Sequence, residues 1–293
     1  MKVALTGATG FIGSHVLGEL QSRGHEVTAL VRGDAQAEVI RARGATPVVA
    51  DLSDRPAVAD LLGRADGAIH TASPGNETSA DLDAAIADAA IAAFAGTGKP
   101  YIQVSGLWIY GVNPAISEQS PISAPPLVAW KPPIEARVLG AASMRGAVIV
   151  SGTAYGDGAG GIPGLLLGSP RDGAGNLIML GTGQQHWVTV HVADLADAFR
   201  RVLEDGSAHG RYVIGNGLHQ TVAELTQAAA VAVGAPGAVP GSDQEARARL
   251  GDYFAEVLLD DQGTDAARAR AELGWQPSRP SLTDEFRHGS YRK

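Results

Sequence analysis

The chain contains no cysteine, which excludes disulfides, thiolate catalysis and cysteine-ligated zinc. It contains no lysine- or arginine-rich run, and its 23 basic residues are outnumbered by 31 acidic ones, giving a net charge of −8. Neither nucleic acid nor an anionic membrane is therefore expected as a partner. No apolar run approaches the ~18 residues of a membrane span. The opening "MKVALTGATG" holds too short an apolar stretch for a secretory leader, so a cytoplasmic protein is expected. No histidine–carboxylate spacing marks a metal site, and no Gly-x-Ser-x-Gly elbow marks a hydrolase. Aromatic residues make up only 5% of the chain.

What is present is a 293-residue chain, 45% hydrophobic and 18% charged, enough for a sizeable core in one large α/β unit or two domains. Short apolar runs at 2–7, 26–32, 46–51, 67–72, 101–106 and 146–152 alternate with amphipathic stretches such as 11–24, closed by Gly24 as a C-terminal cap. This alternation predicts a doubly wound, Rossmann-like parallel sheet covered on both faces. After Gly152 the pattern loosens into a glycine- and proline-rich stretch at 154–177, expected to be a long loop with a short helix. It returns to a strand and a helix at 188–205 and another strand at 210–217, and two helical stretches follow at 221–233 and 243–250. Residues 1–152 with 188–217 are assigned to the dinucleotide-binding core. Residues 153–187 and 218–293 are assigned to a smaller substrate-binding cap.

The segment "TGATGFIG" sets Gly7, Gly10 and Gly13 between the first strand and the first helix. Gly7 permits the tight turn, Gly10 lets the backbone approach a pyrophosphate, and Gly13 allows close packing of helix on strand. Thr9, Phe11 and Ile12 complete the loop. The second strand ends in Arg32, suited to a 2′-phosphate, whereas a carboxylate there would select the ribose 2′-hydroxyl. NADP(H) is therefore expected over NAD(H), although Asp34 keeps the NAD(H) reading open. Asp51-Leu52, ending the third strand, are placed to meet the adenine; otherwise Asp51 caps the helix expected at 54–63.

With "DL" at 51–52, "VSGLWIYG" at 104–111, "AYGDG" at 154–158, "VHVADLADAF" at 190–199 and "ELGWQPSRPSL" at 272–282, the chain resembles the extended and atypical short-chain dehydrogenase/reductases of the NAD(P)-dependent epimerase/dehydratase-like kind. The resemblance implies a Ser or Thr four residues before Tyr110, where Gly106 stands. It also implies a Tyr-x-x-x-Lys whose lysine is Lys131 and whose tyrosine position holds Leu127. Strand alternation turns the neighbouring Ser105 away. Lys131, at the mouth of a helix opened by Pro132 and Pro133, remains available for the nicotinamide ribose. Tyr155, after the sixth strand, is the leading candidate for a substitute proton donor, with Tyr110 and His186 behind it; the alternative is a packed loop tyrosine. His191 reads as structural. Thr71 joins the cofactor set, and Ser73, Gly106, Trp108, Tyr155 and His186 form the expected substrate pocket. Leu107 and Trp108 stand where the family's nucleotide-sugar dehydratases carry Asp-Glu, so dehydration is not expected.

These residues predict an NADP(H)-dependent oxidoreductase reducing a small carbonyl or imine as a monomer or homodimer. Two readings compete with it. One is a non-redox isomerase or cyclase using the same pocket, and the other is a cofactor-binding sensor without turnover.

Overall fold

The structure is a computed structural model, and it describes residues 1–142 and 144–292. The six expected strands of the first half form as β1 (Lys2–Thr6), β2 (Glu26–Val31), β3 (Thr46–Val49), β4 (Gly67–His70), β5 (Pro100–Gly106) and β6 (Arg145–Ser151). With the strand Gly210–Ile214 they make one seven-stranded sheet, entirely parallel. From β1 the chain winds outward through β2 to β3. It then returns to β4 on the other side of β1 and winds outward through β5, β6 and Gly210–Ile214. The direction reverses between β1 and β4, so a crevice opens at their carboxyl ends.

Alternation along each strand feeds two cores. In β1, Val3 and Leu5 enter the cluster under α1 (Phe11–Ser22) and the helix Val192–Glu204. Ala4 faces the other way, into the cluster under α3 (Arg55–Gly63) and α4 (Ser79–Ala93). Gly24 follows α1 with φ +78°, the left-handed conformation that ends a helix without a Cβ penalty. Asp54, not Asp51, caps α3, accepting from the Ala57 N–H at 3.1 Å.

A third cluster, built on Tyr155, Leu166, Trp187, Leu225, Leu258 and Phe286, lies in the cap. The helices expected at 221–233 and 243–250 form as Val222–Ala232 and Asp243–Leu250. Two further helices, Asp252–Leu259 and Leu282–His288, escape the sequence pattern because each is only one or two turns long. One segment assigned to the cap packs elsewhere. Ala266, Ala269, Leu273 and Trp275 belong to the first sheet core beside Phe199 and Tyr212, and Trp275 donates from Nε1 to the Asp194 carbonyl at 2.8 Å.

Candidate functional site

The loop between β1 and α1 is shaped by close approach. A Cβ on Gly7, whose φ is +79°, would sit 2.6 Å from the Ala72 nitrogen, and one on Gly13 would sit 2.1 Å from the Gly7 carbonyl oxygen. Gly13 thus packs α1 against the loop itself. A Cβ on Gly10 would meet nothing within 4 Å except the Gly7 oxygen at 3.2 Å. Gly10 caps α1 without offering a side-chain oxygen, so the first-turn N–H groups face the crevice unsatisfied. This cradle fits a pyrophosphate.

A cavity of about 490 Å³ runs from this loop over the ends of β2 and β3. Gly7, Thr9, Gly10 and Thr71 line one end, and Arg32, Asp51 and Leu52 the other. Thr71 is fixed by donating to the Thr6 carbonyl at 2.8 Å. Asp51 accepts from the Ser53 hydroxyl at 2.6 Å and from its N–H at 2.9 Å, and these bonds hold its carboxyl below the usual range. Gln36 also lines this cavity and anchors the Arg32 backbone N–H at 2.9 Å. Ser73 borders this nucleotide cavity and not the substrate side.

A second cavity, about 440 Å³, opens on the other side of the first turn of α1. Phe11 and Ile12 form its floor, Gly106 and Trp108 one wall, and the cap residues Trp187 and Phe254 another. Trp108 and Phe254 meet edge to face, 6.0 Å between centroids. Ser105 also borders it, with an Oγ that is sealed from solvent and has no hydrogen-bond partner. A Cβ on Gly106 would find nothing within 4 Å.

Lys131 lines neither cavity. It begins α5 (Lys131–Gly140), as the proline pair predicts, and its Nζ lies 3.4 Å from Asp83 Oδ2 and 4.2 Å from the centre of the Trp130 ring. Asp83 is buried and its other oxygen meets His70 Nε2 at 3.2 Å, while His70 Nδ1 meets the Thr6 hydroxyl at 2.6 Å. Glu135, one turn further along α5, is fully buried and accepts from Arg211 Nε at 2.9 Å.

Residues 7–131 match the family model for NAD(P)H-binding domains. A solved structure of the human epimerase family protein SDR39U1 with NADPH superposes with a TM-score of 0.75 at 25% identity, covering 99% of both chains. Along its whole length the chain is thus similar to epimerase/dehydratase-like short-chain dehydrogenase/reductases. Among its relatives, a 3-diazoavenalumate denitrifying reductase of a Streptomyces species is 28% identical, covering 97% of this chain and 98% of that one. The uncharacterized protein C2A9.02 of Schizosaccharomyces pombe is 27% identical over 99% of this chain and 100% of its own.

Set against the short-chain dehydrogenase/reductases it resembles, the chain departs chiefly where acid–base chemistry is expected. Leu127 lies in a turn before α5 and is exposed, so it shares no helix face with Lys131. Tyr155 does not replace the missing tyrosine. It is buried at 1% exposure, its hydroxyl donates to the Pro280 carbonyl at 2.7 Å, and its ring packs edge-on against His191. Burial also drives the Tyr155 phenol well above its usual range. His186 does not line the cavity either and is bonded through Nδ1 to Asp261 at 2.8 Å. Tyr110 is buried, its phenol pushed up to about 12 by desolvation. His191 is structural, capping the helix Val192–Glu204 by accepting from the Ala193 N–H. Sequence spacing missed Gln36, Ser53, Asp83 and Phe254; only an Asx-type pairing of Asp51 with Ser53 was visible in the chain itself.

The hydroxyl of Tyr155 is consequently expected to matter for stability and not for turnover. Tyr155→Phe should cost about 0.5–1.5 kcal/mol, because the buried Pro280 carbonyl loses its donor, and should leave kcat within about twofold. Chemical denaturation and steady-state assay of the same preparation check both. A hundredfold fall in kcat would restore Tyr155 as the proton donor.

Proposed function

We propose that the chain is an NADP(H)-dependent oxidoreductase that reduces a small carbonyl- or imine-type acceptor. The observation that carries this reading is the shared first turn of α1, with Thr9 and Gly10 lining the nucleotide cavity and Phe11 and Ile12 lining the second one. A dinucleotide spanning that turn would set its pyrophosphate on the glycine loop and present nicotinamide to the aromatic cavity. When bound, the nicotinamide supplies the hydride. The chain's own residues orient it and exclude water. The NADPH bound to the human relative and the reductase activity in the name of the Streptomyces relative support the same reading.

NADP(H) is favoured over NAD(H) by placement. Arg32 lines the nucleotide cavity, whereas Asp34, the carboxylate that would favour NAD(H), does not and instead begins α2 (Asp34–Ala42), where it complements the helix dipole. A charge-assisted contact of about 1.5–3 kcal/mol predicts that Arg32→Ala weakens NADPH binding roughly 10- to 150-fold and leaves NADH binding nearly unchanged. Titrating both cofactors against both proteins tests this. Equal or tighter NADH binding by the unaltered protein would overturn the assignment.

A further inference from the structure

The second cavity gathers a large share of the chain's few aromatic side chains. The chain has four tryptophans and five phenylalanines, and two of each line this one space. Trp108 comes from the turn after β5, Phe11 from α1, and Trp187 and Phe254 from separate parts of the cap. Aromatic walls reward a flat occupant, through edge-to-face or offset stacking of the kind Trp108 and Phe254 already make with each other.

Among the described residues, no lining side chain of this cavity is an acid, a base, a histidine or a tyrosine. Its polar members are committed or enclosed. Gln262 Nε2 donates to the carbonyls of Leu107 and Gly111, the Ser151 hydroxyl donates to the Gly152 carbonyl, and Ser105 Oγ is sealed. Among the lining side chains of the described residues the Thr153 hydroxyl and the Trp108 indole N–H are left, and neither ionises near neutral pH. Hydride addition to an isolated ketone puts a full charge on one alkoxide oxygen, which is costly in an apolar cavity without a proton donor. Addition to a quinone or an aromatic enone spreads that charge over the conjugated system.

We infer that the acceptor is flat, uncharged and conjugated, and that its hydride adduct leaves as a delocalised anion with no proton taken from the protein. The inference rests on the reductase reading above. The balance closes with NADPH as reductant. A hydride passes from its nicotinamide to the acceptor, a π pair of the acceptor moves onto oxygen, NADP⁺ remains, and the released anion takes its proton from water. An acceptor carrying a carboxylate or phosphate is excluded by the same lining, since no cation faces it.

The test follows NADPH oxidation above the enzyme-free rate with menadione, and with cyclohexanone and pyruvate as saturated and charged controls. Binding of 2-naphthol, which cannot accept hydride, is read in parallel by tryptophan fluorescence. Menadione is expected to be reduced at least about 100-fold faster than either control, with a rate in heavy water within about 1.5-fold of that in light water. Trp108→Ala should raise the KM for menadione about tenfold or more and leave NADPH affinity unchanged, and Phe254→Leu should act in the same direction. Comparable reduction of cyclohexanone, slowed about twofold or more in heavy water, would overturn the inference and leave the reductase reading standing. If 2-naphthol binds and no acceptor of any kind is reduced, the reductase reading fails and takes the inference with it. Absence of 2-naphthol binding by a folded, NADPH-binding protein would overturn the aromatic-site inference alone.

Discussion

Gly10→Val is expected to abolish cofactor binding in a protein that still folds. At Gly10 the only atom within 4 Å of an added Cβ is the Gly7 oxygen, at 3.2 Å, and the backbone is extended, with φ −80° and ψ 171°, which a valine readily adopts. The stability cost should therefore stay near 1 kcal/mol. The branched side chain would occupy the space where phosphates must approach the first turn of α1, and NADPH affinity should fall by at least about 100-fold, or ~2.7 kcal/mol. Gly13→Ala is the control for the opposite case. Its Cβ would overlap the Gly7 carbonyl at 2.1 Å, so the loop itself must move and melting temperature should fall with affinity. Calorimetric titration with NADPH beside a thermal melt separates the two. A Gly10→Val protein that binds NADPH normally would mean that the pyrophosphate does not sit on this loop.

Lys131→Ala should be felt chiefly in stability. Removing the ammonium leaves the buried Asp83 carboxylate with His70 as its one remaining side-chain partner among the described residues. Stranding a buried charge in this way is strongly destabilising. With the Lys131 side chain 19% exposed and the contact at 3.4 Å, a loss of about 2–3 kcal/mol is expected. For a chain of this size that corresponds to a fall in Tm of roughly 4–10 °C. NADPH affinity should stay within about threefold, because Lys131 lines neither cavity. Replacing both partners, as Lys131→Met with Asp83→Leu, should recover most of the loss, since an apolar pair strands no charge. A tenfold loss of affinity at unchanged Tm would instead put the lysine on the ribose.

The residues that gather around the first cavity were legible in the sequence because their geometry is local. Gly7, Gly10 and Gly13 are set by one strand–turn–helix, and Arg32 and Asp51 follow from where β2 and β3 end. The substrate half is not local, and there the expectations fail. Tyr155 does follow the sixth strand as read, but its hydroxyl is turned inward by the Pro280 carbonyl, 125 residues away. Asp261 holds His186 across 75 residues, and Phe254 reaches the cavity on a two-turn helix that carries no periodic signal of its own. Ser105 borders the second cavity although its Oγ is turned away and sealed, as strand alternation expects. At the end of β5 the pleat gives way to the turn Leu107–Tyr110, so Ser105 and Gly106 both border the cavity. Lys131 was placed correctly at the head of its helix, and its partner was invisible because Asp83 lies 48 residues upstream on another one.

The packing of Trp275 among the side chains of the dinucleotide-binding core has a consequence for how the chain is made. Its indole sits at 0% exposure between the helix Val192–Glu204 and the sheet, and the segment bearing it is synthesised well over 200 residues after the glycine loop. Until that segment emerges, the helix it covers exposes apolar surface and its Asp194 carbonyl lacks its indole donor. Residues 1–152 do not enclose this core, which also takes in Val190, Phe199, Tyr212 and Trp275. A ribosome stalled before residue 275 would hold all seven strands of the sheet but leave the helix Val192–Glu204 without its Trp275 cover, exposing apolar surface to other chains.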